Sequence, residues 1–143
     1  MKELEYPFDA AYIIKKRKSL KKALLADGTS RIRKKIAVLG GSTTSDIVKT
    51  LELFLLDAGI EPEFYESEYA QYFQDAMFPD ETLLSFKPDI VFIHTTNRNV
   101  TDWPEMIDTT EQIDEKLHTE INRFTAMWKS IAEKFHCPII QNN

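Results

Sequence analysis

The stretch Ile36-Ala37-Val38-Leu39-Gly40-Gly41-Ser42-Thr43-Thr44-Ser45-Asp46 decides the fold of this chain. Its first five residues predict a short buried strand, the two glycines allow a sharp turn, and Asp46 begins an amphipathic helix. A strand that turns directly into a helix leaves N–H groups and hydroxyls at its carboxyl end, where open α/β sheets bind ligands. We therefore expect a ligand site at this turn, centred on Ser42.

Strands and helices alternate along the rest of the chain, which predicts a parallel sheet with helices on both faces. The expected fold is a three-layer α/β/α domain of the flavodoxin-like type. Such a sheet usually has a covering helix after its last strand, so a chain that ends on a strand suggests a piece of a longer protein. Strands are predicted at 35–40, 62–66, 90–94 and 139–141, and long helices at 46–58 and 110–135.

A basic segment precedes this domain. Residues 1–35 contain 11 Lys and Arg against 4 Asp and Glu, whereas the remaining residues contain 7 against 19. Residues 7–27 have apolar positions at helical spacing, so we expect an N-terminal helical segment (1–30) followed by the α/β domain (31–143). The basic face favours docking on an acidic surface. Nucleic acid is not an expected partner, because aromatic residues are not interleaved with the basic ones. A membrane surface is not an expected partner either.

Composition points to a cytoplasmic domain. The chain has 143 residues, of which 43% are hydrophobic and 29% charged, enough for one domain with a core. Cys137 is the one cysteine, so no internal disulfide can form. The sequence contains neither a signal-like apolar region after Met1 nor an apolar run near the ~18 residues that a membrane helix needs.

The longest predicted helix has its apolar residues on one stripe, the face that an amphipathic helix normally turns to the core. These residues are Ile113, Leu117, Ile121, Phe124, Trp128, Ile131 and Phe135. At the start of the helix near Asp46, Thr43 and Asp46 have the spacing of a capping box.

The glycine turn fits none of the common nucleotide or nucleophile motifs. No lysine follows the glycines, and Thr44 stands where a nucleophile elbow needs its second glycine. A catalytic serine also needs a base. His94 ends a strand at the expected edge, but a histidine there is often a core group, and His118 and His136 fit less well. The residues alone show no Ser–His–Asp set and no metal-ligand spacing.

A second polar segment, His94-Thr95-Thr96-Asn97-Arg98-Asn99, follows the third strand. The carboxyl ends of parallel strands meet at one edge of a sheet, so this segment should lie beside Ser42. Ser42 and Asn97 are therefore candidate residues of this site. The expected ligand-binding residues are Gly41, Thr43, Thr44, His94, Thr96 and Asn99.

The chain resembles the N-terminal region of FkbH-like proteins, the HAD-superfamily phosphatases of subfamily IIIC. The resemblance rests on residues 38–44, the helix after them, Phe64-Tyr65-Glu66, Gln71-Tyr72 and Phe86-Lys87-Pro88-Asp89-Ile90-Val91. Members of this family carry an SGNH-hydrolase-like domain followed by a HAD phosphatase domain. Some load a glyceryl group onto an acyl carrier protein.

The resemblance implies roles for particular residues. Ser42 matches the nucleophile of the first SGNH block, although Gly41 replaces the aspartate that usually precedes it. Asn97 is the nearest match to the oxyanion-hole asparagine and Asn99 the weaker one, and the flanking glycine is absent. The Asp-x-x-His block would lie beyond Asn143. The magnesium-binding aspartates belong to the HAD domain, so no cofactor is expected within this chain.

Two functions follow as expectations. The first is an SGNH-hydrolase-like module of a modular hydrolase/phosphatase that acts on an ester or thioester through Ser42. The alternative is a non-catalytic module that docks an acyl carrier protein or the downstream HAD domain. A response-regulator receiver is disfavoured, because Gly40-Gly41 stands where such a domain needs acidic residues.

Overall fold

The computed structural model describes residues 1–142 and confirms the α/β class, the parallel sheet and the N-terminal helix. Short 3₁₀ turns occupy Lys2–Leu4 and Asn97–Asn99. The order along the chain is α1 (Ala10–Ala26), β1 (Ile32–Gly40), α2 (Ser45–Asp57), β2 (Ile60–Glu66), α3 (Tyr72–Met77), α4 (Glu81–Phe86), β3 (Ile90–His94), α5 (Thr110–Phe135) and β4 (Ile139–Gln141).

The four strands form one parallel sheet in the spatial order β2-β1-β3-β4. After β1 the chain goes to one side to form β2 and then returns to the other side to form β3. The order of strands therefore reverses between β1 and β3, where Gly40 pairs in register with His94. In doubly wound sheets a crevice opens at this reversal, outside the carboxyl ends of the strands.

The two faces of the sheet bury different clusters, because alternate residues of a strand point to opposite sides. Ala37, Leu39, Val91 and Ile93 face α3, α4 and α5 and are completely buried. On the other face, Ile36 and Val38 pack against Val48 of α2. Helix α2 does not cover this whole face, and a shallow apolar cleft of about 230 Å³ lies between it and Ile140 of β4.

Helix α1 forms an additional layer on the outer side of α2. Its residues Ile13, Leu20 and Leu24 join Leu53 and Leu56 of α2 in a buried cluster. Asp9 caps the start of the helix by accepting a hydrogen bond from the Tyr12 N–H at 3.0 Å. The basic segment is therefore packed onto the domain through apolar contacts, while most of its lysines face outward.

The predicted capping box at the start of α2 is wrong. Thr44, not Thr43, is the N-cap residue, and its side chain makes no capping hydrogen bond. Its hydroxyl instead donates to Glu66 at the end of β2, at 3.2 Å. Asp46 accepts a hydrogen bond from Arg17 of α1 at 2.8 Å. Both this hydrogen bond and the positive charge of the guanidinium lower the pKa of Asp46. Tertiary partners have replaced the local cap.

The expected apolar stripe of α5 is only partly turned to the core. Glu120, Met127, Ser130 and Ile131 are buried, whereas Ile113, Leu117, Ile121 and Trp128 are 38%, 55%, 51% and 41% exposed. The buried face of the helix is instead the one that carries Glu120, whose carboxylate accepts hydrogen bonds from the N–H and hydroxyl of Thr101.

Among residues 1–142, none of the helices combines the length and the apolar character needed to cross a bilayer.

Candidate functional site

The turn after β1 folds tightly onto itself and onto the loop after β3. A Cβ atom on Gly40 would lie 2.6 Å from the Thr44 methyl carbon and 2.8 Å from the Ser42 carbonyl oxygen. A Cβ atom on Gly41 would lie 2.5 Å from Cγ of Asn99. All three separations are shorter than ordinary van der Waals contacts, so only glycine fits either position with this backbone. Gly40 thus allows Thr44 to close over the turn, and Gly41 allows Asn99 to approach it.

Asn99 bridges the carboxyl ends of β1 and β3. Its side-chain amide donates to the Gly41 carbonyl oxygen at 2.9 Å, and its side-chain oxygen accepts from the Thr96 N–H at 2.8 Å. The Gly41 N–H in turn donates to the His94 carbonyl oxygen at 2.8 Å. An asparagine amide carries two N–H bonds, so one remains for a further acceptor. These bonds hold the two loops together at the point where the strand order reverses.

Arg123 of α5 binds the backbone of the loop that follows β3. Its guanidinium donates to the Asn99 carbonyl oxygen at 2.6 Å, to the Tyr72 hydroxyl at 2.9 Å and to Glu120 at 2.8 Å. The Arg123 and Glu120 side chains are only 17% and 9% exposed. Burial opposes the charged form of Glu120, but hydrogen bonds from Arg123 and Thr101 outweigh it and lower the pKa of Glu120.

Ser42 is half-buried beside this bridge, and Thr43 is exposed. Within residues 1–142, the N–H groups of Ser42 and Thr43 have no hydrogen-bond partner. The first N–H groups of α2 begin three residues later, and a helix N-terminus attracts negative charge. The Gly41 N–H was expected to face a ligand, but it is taken by His94. The turn can therefore offer the N–H groups of Ser42 and Thr43 to an oxyanion.

Carboxylates lie on the β2 side of the turn. Glu66 accepts a hydrogen bond from Thr44, and Ser67 donates to Asp75 of α3 at 2.6 Å. Burial raises the pKa of Asp75, the Ser67 hydroxyl acts in the opposite direction, and the charges of Asp80 and Glu68 raise it further. In the described part of the chain, no carboxylate or histidine is hydrogen-bonded to the Ser42 hydroxyl.

The other residues expected at the site take different positions. His94 is half-buried, with its ring 6.2 Å from that of Phe92. Thr96 caps the 3₁₀ turn by accepting a hydrogen bond from the Arg98 N–H. The Asn97 side chain is exposed, and nothing in residues 1–142 bonds to it, whereas Asn99 reaches the glycine turn. The structure thus brings together Gly41, Ser42, Thr44, Thr96 and Asn99.

Several residues of this region were not found from the sequence. Glu66 ends a strand at the same edge, so the edge rule that selected Ser42 could have identified it. Arg123 and Glu120 are three residues apart on α5, the spacing of a helical ion pair. Both were overlooked because the apolar stripe placed them on the expected solvent side. Nothing in the sequence indicates that Tyr72 would bond to Arg123.

No group of three or more histidine, cysteine or acidic side chains close enough to hold a metal ion occurs among residues 1–142. Cys137 is a free thiol, and burial raises its pKa.

Comparison with known proteins gives a fold relative. No protein-family model matches the chain, and no curated protein matches it. The chain is similar in structure to the N-terminal part of the protein BF1531 from Bacteroides fragilis, which contains a phosphatase domain complexed with Mg. The TM-score is 0.68 at 20% sequence identity. The match covers 89% of this chain but 32% of the other, so this chain corresponds to about a third of that protein fragment.

Proposed function

We propose that the chain is an SGNH-hydrolase-like module of the FkbH type, and that its β1/β3 crevice holds the carbonyl group of an ester or thioester. Ser42 is the candidate nucleophile. The observation that carries the proposal is the Asn99 amide, which donates to the Gly41 carbonyl oxygen at 2.9 Å and so stands next to Ser42. The likeness to a phosphatase-domain protein supports a parent protein that combines this module with a HAD phosphatase domain.

The chemistry of this crevice is stabilisation of negative charge. Attack by the Ser42 oxygen on the carbonyl carbon would open the C=O π bond and place a negative charge on the carbonyl oxygen, with the hydroxyl proton passing to water because no described base contacts Ser42. The charge would return to the carbonyl as the alcohol or thiol leaves. The N–H groups of Ser42 and Thr43 and the second N–H of the Asn99 amide are the donors for that charge. We assign the side-chain donor to Asn99 rather than Asn97, because Asn97 points into solvent.

Ester turnover tests the nucleophile. Hydrolysis of short-chain p-nitrophenyl esters and acyl thioesters is measured for the wild-type protein, Ser42→Ala and Ser85→Ala. Ser85 is an exposed serine on α4 and serves as the matched control. We expect the hydrolysis rate of Ser42→Ala to be at least about 10²-fold lower than that of the wild-type protein, and that of Ser85→Ala to be unchanged. Equal rates for all three proteins would end the catalytic role of Ser42.

The second candidate function is a non-catalytic module that docks an acyl carrier protein or the HAD domain. It is favoured by the lack, within residues 1–142, of a base bonded to Ser42. Lys15, Lys16 and Lys22 of α1 are exposed, whereas Lys21 pairs with Glu52 of α2 at 2.7 Å. An acidic carrier would be attracted to this face.

Binding of an acyl carrier protein at several salt concentrations tests the docking function. Replacing Lys15, Lys16 and Lys22 with glutamine should weaken binding and reduce its salt dependence. Replacing Lys49, Lys87 and Lys134, three exposed lysines outside α1, with glutamine removes the same charge and serves as the charge-matched control. Binding that is absent, or that does not depend on salt, would exclude the docking function.

A further inference from the structure

Helix α5 carries an apolar stripe that the rest of the described chain leaves open. Ile113, Leu117, Ile121 and Trp128 follow one another along the helix and are each between 38% and 55% exposed. Single exposed apolar residues are common on soluble proteins, but a continuous row of four indicates a surface that another apolar surface covers.

The stripe lies beside the open edge of the sheet. Trp128 donates from its indole N–H to the side-chain oxygen of Gln141 in β4 at 2.6 Å. Strand β4 pairs with β3 on one side and, within residues 1–142, with no strand on the other. The loop containing Trp103 contacts the opposite flank of α5 through Lys116. Nothing in the described chain therefore blocks a helix from approaching the stripe.

The charges of α5 are divided between its two halves. Apart from the internal Glu120–Arg123 ion pair, residues 110–122 contain three acidic side chains and one lysine, whereas residues 123–135 contain two lysines and one glutamate. Two copies of this helix packed antiparallel would bring each acidic half against a basic half. On the flank of the stripe, Asp114 lies seven residues before Ile121 and Lys129 lies eight after it, and both are exposed. The charge pattern is thus complementary to itself.

We propose that this stripe is the docking surface for a second copy of the chain, with the two α5 helices antiparallel across a twofold axis near Ile121. In such a contact each surface faces its own copy, so every pair of residues occurs twice. Ile121 meets Ile121, Ile113 of one copy meets Trp128 of the other, and Asp114 of one copy faces Lys129 of the other. This inference is independent of the proposed function, because it uses no residue of the crevice.

Sedimentation equilibrium from ~5 to ~500 µM protein tests the association, a range suited to the weak affinity of a small interface. We expect a monomer–dimer equilibrium for the wild-type protein and a monomer for Ile121→Glu. Leu84→Glu is the matched control, because Leu84 is 45% exposed on α4, and this variant should still dimerise. Circular dichroism establishes that each variant is folded.

Exchanging the charges of Asp114 and Lys129 distinguishes self-association from binding to a different partner. Asp114→Lys and Lys129→Glu should each weaken the dimer at least about threefold, since each variant places like charges together twice. The double variant restores opposite charges across the axis and should return the dissociation constant to near the wild-type value. A wild-type protein that is monomeric throughout, a dimer that survives Ile121→Glu, or a double variant without recovery would overturn the proposal.

Discussion

At the scale of single residues, Asn99 links two loops that are far apart in the chain. Its side chain bonds to Gly41 and Thr96, and its backbone carbonyl oxygen is held by Arg123. The position of the Asn99 side chain therefore depends both on the space left by Gly41 and on the buried Glu120–Arg123 ion pair of α5.

Gly41→Ala should disturb this arrangement through a direct clash. The added methyl carbon would lie 2.5 Å from Cγ of Asn99, so we expect a loss of about 1–3 kcal/mol in the free energy of unfolding. In the background of Asn99→Ala the obstructing side chain is gone, and the same glycine substitution should cost much less. A double-mutant cycle from urea unfolding measures this coupling, and additive effects would show that the two residues do not touch.

Arg123→Met should destabilise the protein by about 3 kcal/mol, because it leaves the buried Glu120 carboxylate without its cation. Adding Glu120→Gln removes the uncompensated charge and should recover part of the loss. Urea unfolding of the single and double variants provides the measurement. Lys129→Met, at an exposed position of the same helix, should change stability by less than about 0.5 kcal/mol. A loss of similar size in that control would contradict the account.

Asp75→Asn should stabilise the protein at neutral pH. Burial raises the pKa of Asp75 in the folded state, so its ionised form is disfavoured there relative to the unfolded chain. Asparagine removes that cost and keeps the oxygen that accepts from Ser67. The increase in the free energy of unfolding should reach its full value at pH values above the raised pKa of Asp75. It should disappear as the pH falls towards about 4, the ordinary carboxyl range. Urea midpoints measured across this range check the sign, and a gain that grows on acidification would refute it.

The sequence was sufficient to select the edge of the sheet but not the individual donor. Ser42, Thr96 and Asn99 could be placed together because each follows a strand that ends at the same edge. The choice between Asn97 and Asn99 depends on a single 3₁₀ turn, which rotates one side chain towards Gly41 and the other into solvent. Spacing along the chain does not determine that rotation.

At the scale of secondary-structure elements, α1 is packed onto α2 by apolar contacts. Leu24 is 1% exposed in the α1–α2 cluster, whereas the next residue, Leu25, is 52% exposed. We expect Leu24→Ala to lower the free energy of unfolding by about 2–5 kcal/mol and Leu25→Ala to have little effect. Equal effects in urea unfolding would mean that α1 is not part of the cooperative unit.

Most elements could be predicted because their patterns are local. Strand β3 and the long helix were expected at 90–94 and 110–135, and the structure has them at those positions. The orientation of α5 about its own axis could not be predicted, because it depends on Thr101 and Asn99, which are in a separate loop. Tertiary hydrogen bonds outweighed the apolar periodicity there.

At the scale of the whole molecule, the topology brings together the two polar loops of the candidate site. Alternating strands and helices predicted the parallel sheet, and the reversal of strand order between β1 and β3 places the polar loops next to one another. The contacts of these loops with Arg123 and Glu66 join residues that are distant in the chain, so they could not be predicted without the arrangement of the strands.

The central claim is that the Ser42 turn and Asn99 together bind an oxyanion. NMR chemical-shift mapping with a short-chain alkyl phosphonate, a tetrahedral anion that resembles the product of attack on a carbonyl, tests it most directly. We expect the largest shifts at the backbone amides of Ser42 and Thr43 and at the side-chain amide of Asn99, and we expect the shifts of Ser42 and Thr43 to be lost in Asn99→Ala. Shifts that leave these groups unchanged and fall on the basic face of α1 would contradict it.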